Sequence, residues 1–169
     1  EAALDALLLS YAAPGTARQL VLGVFAAARA ANVPCSREDG SYNMLAEDGE
    51  PCGTAPEWCF PLFCIDLLHR RCGDLAWLRT LYPYLARYLS WWLRHRRDEQ
   101  GWLHYHCSWE SGQDESPRFG RQASGGTLME HIRPVDLHAS VAQGAAILAR
   151  FAAELGRSHD VLRWQRVAA

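Results

Sequence analysis

The chain has 169 residues, 49% of them apolar, which suffices for one domain with a sizeable core. Its net charge of -2 argues against a nucleic-acid partner. No apolar run is long enough to cross a bilayer, so no membrane association is expected. All 17 basic residues are Arg, scattered along the chain, which reads as the coding bias of a GC-rich bacterium rather than a binding surface. Cys35, Cys52, Cys59, Cys64, Cys72 and Cys107 form no C-x-x-C pair, and no signal peptide is visible. Free thiols in a cytoplasmic protein are the expectation.

The opening "EAALDALLLSY" and the closing "RWQRVAA" both read as interrupted elements, so residues 1–169 are expected to be a piece of a longer domain. "TARQLVLGVFAAARAAN" places Leu20, Val24, Ala28 and Ala31 near helical spacing, with Thr16 as candidate cap. A long Gly-, Pro- and acid-rich connection follows, of the kind that carries function in compact domains. A second helix is predicted from about Pro56 to Arg71, capped by Thr54 and ended by Gly73. "DLAWLRT" predicts a short helix. Pro83, without an amide donor, is expected to start a new one, with Leu85, Tyr88, Leu89 and Trp92 on its buried face. "EQGWLHYHCSW" reads as extended chain, and the stretch from His106 to Pro134 as irregular. A last helix is predicted from about Asp136 to Leu155, stopped by Gly156. Helices alternating between tight turns and long decorated loops suggest stacked helical hairpins with their functional loops at one end.

The irregular stretch "HCSWESGQDESPRFG" gathers acids, an Arg, aromatics and Gly in a pattern that neither helix nor strand requires. Asp114, flanked by Trp109 and Phe119, loses hydration; that raises its pKa and keeps a proton available for general-acid work. The flat faces of Trp109 and Trp58 suit sugar rings, while acids and Arg118 suit their hydroxyls. The same residues admit a plainer reading. Trp109 and Phe119 would anchor a loop, Glu110 and Arg118 would form a surface ion pair, and Asp114 would serve a turn. "HYHC" offers His104, His106 and Cys107, but without a second ligand pair no metal site is expected.

"WESGQDESPRF" resembles the Glu-Ser-Gly-x-Asp-x-Ser-Pro-Arg signature of a group of inverting glycoside hydrolases. That group comprises the processing α-glucosidases of family sixty-three, the mannosylglycerate hydrolases and the related trehalases. "EDGEPCGTAPEWCFPL" is similar to the group's Pro-rich loop. "RPVDLHASVAQGAAILARFAAELG" is similar to the start of one of its barrel helices, with His138 where Asn is usual. Gln113 and Glu115 occupy variable positions of the central signature. The resemblance implies an all-α fold, part of an (α/α)6 toroid of six helical hairpins. It implies inverting hydrolysis of an α-glycosidic bond in an oligosaccharide or small glycoside; no cofactor is expected, and the residues show no ligand cluster for a metal. It assigns Asp114 as the general acid, with Trp109, Glu110, Arg118, Trp58 and Asp136 around the sugar; Asp136 would alternatively cap its helix, and Trp58 would alternatively be core. The catalytic base of such enzymes is a Glu in a later hairpin, so the base and the rest of the barrel are expected outside residues 1–169. Glu47, Asp48 and Glu57 would stand in for it only by coincidence. The competing reading is a non-catalytic carbohydrate-binding or degenerate glycosidase domain. A zinc-dependent terpenoid transferase on an α/α barrel is disfavoured, because no Asp-rich motif and no paired zinc ligands are present.

Overall fold

A computed structural model describes residues 1–120 and 124–169. The fold is all-α, that of part of an (α/α)6 toroid. Six helices among the described residues carry it: α1 (Ala2–Leu9), α2 (Pro14–Ala27), α3 (Pro61–Cys72), α4 (Leu75–His95), α5 (Val135–Glu154) and α6 (Ser158–Ala168). Among the described residues there is no multi-residue strand, only isolated bridges such as Ser36 to Tyr42, Leu45 to Pro51 and Cys107 to Leu128. α1 with α2 and α5 with α6 form antiparallel hairpins, while α4 packs on α2 and α5, and α3 on α1 and α5. No helix among the described residues is long and apolar enough to cross a membrane.

The first long helix starts at Pro14 and not after Thr16, because Pro14 loses nothing at a first-turn position where amides have no intrahelical partner. Its buried face is Ala17, Val21 and Phe25 rather than the predicted Leu20–Val24 row, and Leu20 is exposed. The second helix starts at Pro61 and not Pro56, for a related reason. A start at Pro56 would put Pro61 in the interior, where its missing N–H would break a hydrogen bond. Cys59 and Phe60 take left-handed φ values of 56° and 46° to bring the chain round to Pro61. Thr54 is not a cap; its hydroxyl donates to the Val33 carbonyl, and its own carbonyl accepts from the Tyr88 hydroxyl at 2.7 Å. Gly73 ends α3 at φ 62°, as expected.

The predicted break at Pro83 is absent. α4 runs uninterrupted through Pro83 for 21 residues from its cap Asp74, whose carboxylate accepts the Trp77 amide at 2.9 Å. Trp77, Leu78, Leu81, Tyr82, Leu85, Tyr88, Leu89 and Trp92 are all buried. Each such side chain contributes roughly 1.5–3 kcal/mol by burial, so the row outweighs the roughly 3 kcal/mol that a Pro costs in a helix interior. The α5 prediction holds to within one residue, and α6 completes its hairpin. Trp164 of α6 is fully buried and donates to the Tyr82 hydroxyl at 3.0 Å, which in turn meets Asp160. Asp66 of α3 pairs with Arg150 of α5 at 2.7 Å. The helices thus pack into one wall, and the two long connections meet where the Ala55 amide donates to the Glu110 carbonyl and the Glu47 amide to the Gly126 carbonyl.

Candidate functional site

Two acid-rich turns shape the first loop. In each, an Asp carboxylate accepts the amide two residues on: Asp39 from Ser41 at 2.8 Å and Asp48 from Glu50 at 3.0 Å. Such turns form from local sequence alone. What joins this loop to the second one is buried charge. Glu110, fully enclosed, accepts from Arg96 Nη2 at 2.8 Å, Arg96 Nε at 3.0 Å, the His106 amide at 2.8 Å and the Gly53 amide at 3.1 Å. Arg96, just past the end of α4, also reaches Glu50 at 2.8 Å and lies 4.6 Å from the Trp91 ring centre. Burial works against the Arg96 charge, yet Glu110 and Glu50 outweigh it and raise its pKa. The sequence expectation for Glu110 was a sugar contact. Its oxygens are instead taken up by these donors, and Arg118 pairs elsewhere.

His106 adds a clasp. Its Nδ1 lies 2.8 Å from Glu130 and its Nε2 2.9 Å from Asp48. Burial disfavours the imidazolium, but the two carboxylates prevail and its pKa is raised. Asp48, Glu50 and His106 offer ligand atoms within 4.8 Å of one another, a spacing that a cation could bridge. Those atoms already engage each other and Arg96. The "HYHC" residues scatter: His104 turns to the Tyr105 carbonyl, and Cys107 packs with Cys52 and Ala46 in a small apolar cluster. All six Cys are free thiols.

Trp58 and Asp136 share a cavity, and Arg118 pairs with Asp136. Trp58 lines a cavity of about 360 Å³ with Glu57, Ser111, Gly112, Gln113 and Asp136. It also lines a second cavity of about 320 Å³, with Cys35, Thr54 and Tyr88. Its indole lies on Gly112, whose φ of 67° and lack of a side chain both matter: a Cβ there would sit 2.6 Å from the ring. Arg118 donates to Asp136 at 2.7 Å and stacks on Phe119 and Tyr105. Asp136 therefore stands in the first turn of α5, a position favourable to negative charge, and not at its cap. Trp109 takes a separate place. Its indole covers Gly125, where a Cβ would come within 1.4 Å, and it packs against the apolar cluster around Cys107.

Asp114 lies in the turn between two short 3-10 segments, Ser108–Ser111 and Pro117–Phe119, and is partly buried. Burial first, and then the neighbouring Glu115 charge, raise its pKa. It is near enough to Cys35 to add to the rise that burial causes in that thiol. The residue before Asp114, Gln113, lines the first Trp58 cavity.

Two residues of this cluster escaped the sequence reading or were set aside by it. Glu57 is 6% exposed, lines the first cavity, and has no hydrogen-bond partner for either oxygen among the described residues. Burial pushes its pKa up to about 8; the Asp136 charge adds to the rise, while Tyr105 and Arg118 oppose it. Tyr105 is fully buried, its hydroxyl also unpartnered, and its pKa is raised by burial and by the nearby Glu57. The Glu57–Trp58 step after a Pro was the available signal, but an acid beside an aromatic is too common to be singled out.

A family model described as the mannosylglycerate hydrolase MGH1-like glycoside hydrolase domain matches residues 62–169, which is most of the chain. No curated protein and no solved structure matches.

Proposed function

We propose that this chain, which belongs to the MGH1-like glycoside hydrolase family, carries the acid side of an inverting α-glycosidase site, with Asp114 as general acid. A glycoside hydrolase domain acts on carbohydrate. The observation that supports the finer reading is that Trp58 and Asp136 line one cavity with Gln113, the residue before Asp114, while Arg118 pairs with Asp136. Trp58 would stack on a sugar ring, and the Arg118–Asp136 pair would bind its hydroxyls. Asp114, its pKa raised, would protonate the leaving oxygen.

Inversion needs a second carboxylate on the far face of the sugar, roughly 6.5–9.5 Å from the first. Around the cavities Asp136 is engaged by Arg118, Glu110 by Arg96, and Glu57 holds its proton near neutrality. In this reading the base comes from outside residues 1–169, as the resemblance to longer barrels implies. The same observation favours a second reading, a carbohydrate-binding domain without turnover. The deciding assay measures hydrolysis of a panel of α-glucosides and α-mannosides by the gene product that carries these residues. Asp114→Asn is expected to lose about 10²–10⁴ of the rate while keeping sugar affinity. Sugar binding with no cleavage by the wild type would instead establish the binding domain.

A further inference from the structure

We infer that Glu57 is a sugar-reading residue at the inner end of the Trp58–Asp136 cavity, where it takes an uncharged hydroxyl, with Tyr105 as the positioning residue behind it. The inference rests on the carbohydrate reading above and sharpens it. Residues 62–169 make the family match, so that match assigns nothing to Glu57.

Three polar atoms carry the argument. Both Glu57 carboxyl oxygens and the Tyr105 hydroxyl are buried without a hydrogen-bond partner among the described residues. Buried polar groups are almost always partnered, and an orphan is costly. Glu57 lines a cavity of about 360 Å³, and the Tyr105 hydroxyl is close enough to its carboxyl to oppose the rise in its pKa. A ligand group that enters to Glu57 would remove the cost. A hydroxyl suits it, since a hydroxyl both donates and accepts.

An anionic group does not suit it. Asp136 lines the same cavity, and the Arg118 guanidinium beside it is already paired at 2.7 Å. Burial keeps Glu57 protonated at neutral pH, so its carboxyl can donate to a neutral oxygen. The Trp58 ring supplies the apolar wall on which the hydrogen-bearing face of a pyranose would lie. The substrate class at this subsite is therefore a neutral pyranoside ring. A negatively charged part of any substrate would have to lie elsewhere.

The test is titration of the chain with methyl α-D-mannopyranoside and methyl α-D-glucopyranoside, with the Glu57 side-chain carboxyl followed by carbon-13 NMR. The Glu57 resonance is expected to move on saturation. Glu57→Gln, which keeps an uncharged donor and acceptor, should bind close to wild type. Glu57→Met, which is apolar and similar in size, should lose about tenfold or more, the worth of a lost hydrogen bond. Tyr105→Phe should raise the pH at which the Glu57 resonance titrates, a readout that a purely structural role would leave unmoved. Circular dichroism would check that each variant is folded. Equal binding by wild type and Glu57→Met would overturn the inference and leave the sugar site standing. Glu57-dependent binding with cleavage indifferent to Asp114→Asn would uphold it and remove the acid assignment. No saturable binding of either glycoside, with the Glu57 resonance static, would overturn it outright.

Discussion

Glu110 shows how much of this site depends on one buried charge. Its carboxylate meets Arg96 and the amides of His106 and Gly53, so three separate parts of the chain converge on it. A buried ion pair is a weak source of net stability, because desolvation offsets attraction. Removing one partner is a different matter, since it strands the other charge. Glu110→Ala leaves Arg96, itself 4% exposed, with Glu50 alone. The expected loss is about 3–5 kcal/mol, measured as a lower midpoint in urea unfolding. An unchanged midpoint would mean that the two loops are held by other contacts. From sequence, Glu110 read as a ligand contact because it sits in a motif rich in such contacts. Nothing local announced that Arg96, across a turn, would enclose it.

Among the elements, α4 is the instructive one. Pro83 was expected to divide it, and the helix passes through. A Pro in a helix interior costs roughly 3 kcal/mol relative to Ala, and here the apolar row on both sides of it repays that. Pro83 itself is exposed and packs no core. Pro83→Ala should therefore restore the amide donor to the Arg79 carbonyl without disturbing the buried face. The expected gain is about 1–3 kcal/mol, seen as a higher thermal midpoint. A lower midpoint would show that the ring fixes a bend that the packing needs. α3 teaches the complementary point: Pro61, at its first turn, costs no hydrogen bond and marks the true start.

At the scale of the whole molecule, the helices form a packed wall, and the loops are tied to it and to each other by charge. His106 is the titratable member of that tie, held between Glu130 and Asp48. Glu50 also faces it at 3.6 Å, and the Arg96 charge opposes its protonation. Its folded pKa is raised above the ordinary value of 6.5. The clasp's contribution is thus full below the unfolded pKa and is lost as pH rises through the folded one. Amide exchange in residues 44–52, corrected for its intrinsic pH dependence, should be more protected at pH 6 than at pH 9. His106→Gln should remove most of that difference. Protection that is flat with pH in the wild type would show that the imidazolium contributes nothing to holding the loop.

By itself the sequence determined the all-α class, the stop at Gly73, α5 to within a residue, and the irregular character of the stretch from Trp109 to Phe119. These are short-range properties: helical spacing of apolar residues, a glycine at a positive φ, and a motif whose composition no regular element requires. Only the tertiary structure decided which face of α2 is buried, whether Pro83 breaks a helix, and which of the acids is free. Glu110 and Glu57 are both buried Glu residues of the same two loops, and the sequence gives no means of ranking them. One is held by an Arg and two backbone amides, because Arg96 at the end of α4 reaches it, while the other is buried with only the Tyr105 hydroxyl close to it. The state of a carboxyl depends on what the fold brings within a few ångströms, and those groups come from distant positions in the chain.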